Sequence, residues 1–305
     1  MKTPYPVPKE HSQAFTEVAQ GSRIAWHMVQ ACGDPMDGSI FANVNELYPH
    51  EKVSDRVRHY VEAAFEHLLM WADNAAPLKF HPEQTVNFTL RPTYTLARAA
   101  LESSAQAVWI LSANNSKECV RRHLSLIRWD IQEHKKSSPS PEHKEACRTR
   151  ENELLARVGS VFTEQDVKPP NGYLAVLKSA CEPNDLDLEP VGIERLWRAA
   201  SGAAHGMYWP NLELQTLTTG NEDERGHFRA QRLPDSTVMV EVIQSALKMS
   251  QYAAYKYVVL SGLDLSALVG PAMRWLTSNM TLKPDADPEL LKQLNADRPP
   301  NWGME

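Results

Sequence analysis

The sequence predicts an all-α protein, a helical bundle with one small β-hairpin insert near residues 212–232. Three observations carry this. Apolar residues recur at i, i+4, i+7 and i+8 over several long stretches, the pattern of amphipathic helices. Turn-forming clusters such as Gly33-Asp34-Pro35 and Ser137-Ser138-Pro139-Ser140-Pro141 separate those stretches. Alternation of period two is confined to 212–217 and, more weakly, 227–231.

The elements follow in order. Residues 11–31 hold a first helix, with Phe15, Val18, Ile24, Met28 and Val29 as its apolar contacts. The second begins near Ser54, a residue suited to capping, with Val53, Val57, Tyr60, Val61, Ala64, Phe65, Leu68, Leu69 and Ala72 as its apolar positions. Residues 78–92 read as a loop. The next helix starts near Pro92, which suits a first turn, and runs to about Asn114. It is rich in Ala, Ser and Leu, so it packs closely and belongs in the centre of the bundle. Ser116 caps a helix through Lys136, and residues 142–160 form another. A short helix at 171–181 is followed by an acidic loop with Glu182, Asp185, Asp187 and Glu189. Pro190 opens a helix through about Tyr208, stopped by Pro210. After the hairpin come helices over 235–260 and 265–278. The domain reading is an N-terminal helical and irregular segment (1–50), a bundle domain (51–278) and a polar, Pro-rich tail (279–305) that drapes over the surface.

Composition limits the function. In 305 residues, 42% are hydrophobic and 23% charged, enough apolar material for a sizeable core. A net charge of -6 argues against a globally basic nucleic-acid binder but leaves room for a local patch. No apolar run reaches the roughly 18 residues that span a bilayer, and the first residues lack a signal-peptide h-region. A cytoplasmic protein without membrane partners is expected. Cys32, Cys119, Cys147 and Cys181 are scattered, with no CxxC pair and no zinc-type spacing. Buried, reduced thiols are expected, with no metal and no cofactor. P-loop, GxGxxG, G-x-S-x-G and HExxH motifs are absent, which removes the enzyme classes they serve.

Two helices place polar groups in apolar settings. Arg98 and Glu102 are four residues apart and share a face among Leu101, Ala105, Val108 and Trp109. They form an internal ion pair or support a site. Glu194, Arg198, Ser201 and His205 follow i, i+4, i+7, i+11 and make a polar line on one helix face. Around it stand Ala199, Ala200, Gly202, Ala203, Ala204 and Gly206, small enough for a helix or a ligand to approach closely. Imidazole transfers protons near neutral pH, and guanidinium meets phosphate charge. Such a pair suits metal-independent RNA cleavage with the 2′-hydroxyl as nucleophile. Equally, His205 can simply finish the helix beside Pro210.

Arg198, six residues and His205 resemble the R-x4–6-H signature of HEPN domains. The resemblance implies an all-helical domain of the kind found in toxins and phage-defence ribonucleases. It implies Arg198 and His205 as catalytic residues, and a homodimer whose two motifs join in one composite site. An antitoxin or defence partner protein goes with that setting. The residue after the family's arginine is commonly Asn, whereas here it is Ala199. The patterns R-x3-E-S at 98–103 and S-x3-H-G at 201–206 also resemble uncharacterised bacterial all-helical proteins.

Other features are weaker in specificity. From 117 to 157, ten Lys/Arg face seven Asp/Glu, and Arg121, Arg122 and Arg128 lie near Trp129. This mild basic stripe meets RNA phosphates or is a mixed, salt-bridged surface. His59, Glu62, Glu66 and His67 share one helix but have the order His-x-x-Glu, not the Glu-x-x-His of bundle metal sites, and read as a solvated face. Trp197, Tyr208, Trp209 and Trp275 read as core. The expected function is a HEPN-like ribonuclease with Arg198 and His205 as catalytic pair and Glu194, Ser201, Arg98 and Glu102 in support. The alternative is a non-catalytic protein that binds a partner or small ligand through the small-residue groove.

Overall fold

A computed structural model describes residues 7–78, 89–183 and 185–280. Among them, in chain order, are α1 (Lys9–Ala31), α2 (Ile40–Leu47), α3 (Val53–Ala75), α4 (Leu90–Leu111), α5 (Ser116–Ser137), α6 (Pro141–Val158), α7 (Tyr173–Ala180), α8 (Pro190–Ala204) and the single turn α9 (Pro210–Glu213). The strands β1 (Gln215–Glu224) and β2 (His227–Pro234) and the helices α10 (Ser236–Leu260) and α11 (Leu265–Asn279) complete the order. The molecule is all-α with one small antiparallel hairpin, the class that the sequence predicts.

Helices α1, α3, α4 and α10 pack in a closed ring, and the remaining flank of α4 meets α7 and α8. The composition of α4 permits this central place. Ala97, Ala100, Ala105, Ala107 and Val108 are buried, and such small side chains let several neighbours come close. Trp71, Tyr94, Phe15, Phe41 and Phe65 supply the bulk. Buried Ser22, Ser104 and Ser250 donate to carbonyls four residues earlier at 2.7, 2.7 and 2.8 Å, so their hydroxyls are satisfied within their own helices. Arg23 on α1 is buried and donates to Ala76 O at 2.9 Å and to Asp73 at 2.8 Å. A cation therefore closes the C-terminal end of α3, where the helix dipole favours it, and α1 is tied to α3.

Several boundaries differ from the sequence reading. Helix α2 is additional. Ser39 caps it by accepting from Ala42 N at 3.1 Å, and Phe41 and Val44 are buried. Eight residues are too few for periodicity to reveal it. The N-cap of α3 is Lys52, because Ser54 is buried and exchanges hydrogen bonds with Asn45 instead. Helix α4 starts at Leu90, with Pro92 inside the first turn, where a missing N–H costs nothing. Most of the expected 78–92 loop and nearly all of the C-terminal tail lie outside the described residues.

Helix α8 stops at Ala204, four residues before the expected end. Gly206 has φ 71°, Met207 N donates to Gly202 O at 2.9 Å and Gly206 N to Ala203 O at 3.2 Å. This is a Schellman ending, which the sequence signals only by its glycine. In the hairpin, Leu212 belongs to α9, and the strands run further into the acidic segment, to Glu224. Gly226, φ 80°, makes the turn. Leu217 and Phe228 remain exposed. All four cysteines are free and buried. Among the described residues no helix is long and apolar enough to cross a membrane.

Candidate functional site

Helix α8 is amphipathic. Ile193, Leu196, Ala199, Ala200, Gly202 and Ala203 face inward. The opposite side carries Glu194, Arg198, Ser201 and His205. Pro190 occupies the first turn, as expected. His205 is the C-cap residue, with φ -85° and ψ 4°, close enough to helical values to stay near the line.

Arg198 is exposed and donates from Nε and Nη2 to Glu194 Oε1 at 2.9 and 2.7 Å. The other oxygen of Glu194 accepts from Lys178 Nζ on α7 at 2.9 Å. Lys178 first, and Arg198 with it, hold the Glu194 carboxyl below its ordinary range. The ionised carboxylate therefore pins Arg198 to the helix face. His205 donates its backbone N–H to Ser201 O at 3.1 Å, which is the capping role, while the residue stays exposed. Seven residues of helix separate the Arg198 and His205 backbones by about 10 Å. Half-buried Ser201 lies between them on the same face.

No protein-family profile, curated protein or solved structure matches this chain.

Arg98 and Glu102 stand apart from the line. On α4, Arg98 Nε donates to Glu102 Oε1 at 2.8 Å, and Trp197 Nε1 on α8 donates to the same oxygen at 2.7 Å. The Arg98 guanidinium lies 5.4 Å from the centre of the Trp197 ring. All three side chains are half-buried. They fasten α8 to α4 one residue before Arg198, so their support is positional. Lys178 and Trp197 are the partners that sequence reasoning missed, because each contact crosses between helices and leaves no local spacing.

Part of the small-residue face of α8 is covered, while Ala204 and Gly206 stay exposed. Ala199, Ala200 and Ala203 are buried. A Cβ on Gly202 would lie 2.7 Å from Pro210 Cγ, so the α9 turn of the same chain fills the close approach. At Gly202 the close approach is thus made by a segment of the protein's own chain. Tyr208 and Trp209 were expected in the core, but they are 59% and 38% exposed. The Schellman ending turns residues 207–209 outward before Pro210 returns to the helix. Trp197 and Trp275 are half-buried.

The three arginines of the basic stripe are committed within the molecule. Arg121 pairs with Glu118 at 2.6 Å and donates to Asp166 O at 2.9 Å. Arg122 reaches the same Glu118 at 2.8 Å and Trp109 O at 2.6 Å. These two arginines, Arg121 foremost, hold the Glu118 carboxyl down to about 2. Arg128 pairs with Glu151 at 2.8 Å and Glu164 at 2.6 Å. The geometry favours the salt-bridged-surface reading of this stripe. On α3, Glu62 is held by Arg58 at 3.0 Å and Gln30 at 3.2 Å. Among the described residues, no group of three or more His, Cys, Asp or Glu side chains is placed to hold a metal ion.

Proposed function

We propose that this protein is a HEPN-like, metal-independent endoribonuclease of a toxin or defence system. The carrying observation is that Arg198, pinned by Glu194, and His205, at the helix end, are both exposed on one face of α8. Two guanidinium nitrogens of Arg198 are held by Glu194, and its remaining N–H groups meet the scissile phosphate. His205 takes the proton of the RNA 2′-hydroxyl. The 2′-oxygen bonds to phosphorus as the bond to the 5′-oxygen breaks, the 5′-oxygen takes its proton from solvent water, and a 2′,3′-cyclic phosphate results. Ser201 orients the substrate. In this reading two copies of the chain bring two such lines to one strand of RNA.

The test is total RNA in EDTA, with wild type, Arg198→Ala, His205→Ala and Glu194→Gln. Cleavage is expected from the wild type and not from the two alanine variants. Glu194→Gln should be slower by up to about 10²-fold, the cost of a mispositioned group. RNA left intact by the wild type, or cut equally by all four, overturns the proposal.

A further inference from the structure

The segment that leaves α8 carries two aromatic rings that the core does not use. Residues 207–209 run from the Schellman ending of α8 to Pro210 of α9. Tyr208 O accepts from Asn211 N at 3.0 Å and Trp209 O from Leu212 N at 2.9 Å, so the α9 turn holds their backbone. Both side chains are nevertheless exposed. Tyr208 follows His205 by three residues, which limits the two backbones to a separation of about 10 Å. The hairpin comes alongside. The Arg232 guanidinium on β2 lies 5.0 Å from the centre of the Tyr208 ring, and its Nη2 donates to the Tyr208 hydroxyl. The ring is thereby fixed in place while it stays open to solvent.

Arg232 also differs in charge balance from its neighbours on α7 and α8. Lys178 and Arg198 both pair with Glu194, and Arg195 pairs with Glu241. Among the described residues, Arg232 contacts Tyr208 and pairs with no carboxylate. Its partner across the hairpin is Leu217. Glu222 lies five residues further along β1, roughly 17 Å of extended strand away. An exposed aromatic ring beside an unneutralised guanidinium suits a nucleotide, whose base stacks on the ring and whose phosphate meets the cation. A purely apolar partner would instead desolvate Arg232 without giving it a counter-charge.

We propose that Tyr208, Trp209 and Arg232 seat an unpaired nucleotide of the RNA whose phosphate meets Arg198 and His205. The seat rests on the ribonuclease reading of α8, and it selects single-stranded RNA as the substrate class. Tyr208 stacks the base, Trp209 offers a second ring beside it, and Arg232 meets a flanking phosphate. Bases inside a duplex are already stacked and paired, so they present no free face to these rings.

The experiment measures binding apart from cleavage. A labelled single-stranded oligoribonucleotide of mixed sequence, and the same strand annealed to its complement, are titrated with the full chain in EDTA and followed by fluorescence anisotropy. His205→Ala serves as the parent, so that the RNA stays intact. The parent is expected to bind the single strand more tightly than the duplex. Adding Tyr208→Ala weakens single-strand affinity roughly 5–150-fold, the worth of one stacked base, and Tyr208→Phe restores most of it. Arg232→Gln lowers the slope of log affinity against log salt by about 0.7, the share of one phosphate contact on a single strand. A single-strand affinity unchanged in Tyr208→Ala overturns the seat. So does a duplex bound as tightly as the single strand, or a salt slope unchanged in Arg232→Gln. Cleavage is read in parallel with His205 intact. RNA bound through Tyr208 yet left uncut supports the seat and overturns the ribonuclease reading alone. RNA that is cut, with affinity unaltered in Tyr208→Ala, overturns the seat alone.

Discussion

A Cβ on Gly202 would stand 2.7 Å from Cγ of Pro210, with Cζ2 of Trp209 only 3.1 Å away. Both neighbours are rings and cannot flex aside. Glycine in the middle of α8 is therefore what lets the chain fold back after the Schellman ending. That fold-back leaves His205 on the rim of the helix. Gly202→Ala should gain up to about 1 kcal/mol of helix propensity. It should lose roughly 1–3 kcal/mol to overpacking. The expected outcome is a lower urea midpoint. A higher midpoint would show that Trp209 and Pro210 are not held against α8.

Arg128 is 9% exposed and holds Glu151, 13% exposed, at 2.8 Å together with Glu164 at 2.6 Å. Gln132 also donates to Glu151, at 2.8 Å. Arg128→Ala strands a nearly buried carboxylate with one neutral donor. The expected loss is about 3 kcal/mol of unfolding free energy, with RNA affinity of the folded variant unchanged. Unchanged stability with weakened RNA binding would return Arg128 to a phosphate-contacting role.

His123 is fully buried, and its Nε2–H donates to Glu51 O at 3.0 Å. Its Nδ1 is buried without a hydrogen-bond partner. Burial pushes its pKa down to about 4. An unfolded histidine titrates near 6.5, so between these values the unfolded chain holds a proton that the folded chain does not. The stabilisation from neutral His123 is complete above about pH 6.5 and is lost as pH falls toward 4. Urea unfolding should show about 2 kcal/mol less stability from this group at pH 5 than at pH 7. His123→Gln keeps a donor for Glu51 O and should flatten that slope. An imidazole resonance of His123 that titrates near pH 6.5 would contradict the assignment.

The long helices, their order and the hairpin were legible in the chain because periodicity and turn chemistry are local properties. For the same reason the line of Glu194, Arg198, Ser201 and His205 could be read from spacing on one helix. Its occupants are the residues that α8 leaves outside the core. The ends of elements were less legible. The early stop of α8 rests on Gly206 adopting a left-handed conformation, and the short α2 rests on one capping serine. What tertiary structure alone decided is which polar groups are spent and which are free. Lys178 reaches Glu194 from another helix, and Glu102 takes the N–H of Trp197 across the α4–α8 contact. The arginines of α5 turn to acceptors on other elements as well as to their own helix. The α9 turn fills the approach that the small residues of α8 leave open. A charge is paired, and a small residue covered, by whatever the fold brings against it, and those partners are set by packing between segments distant in the chain rather than by local pattern.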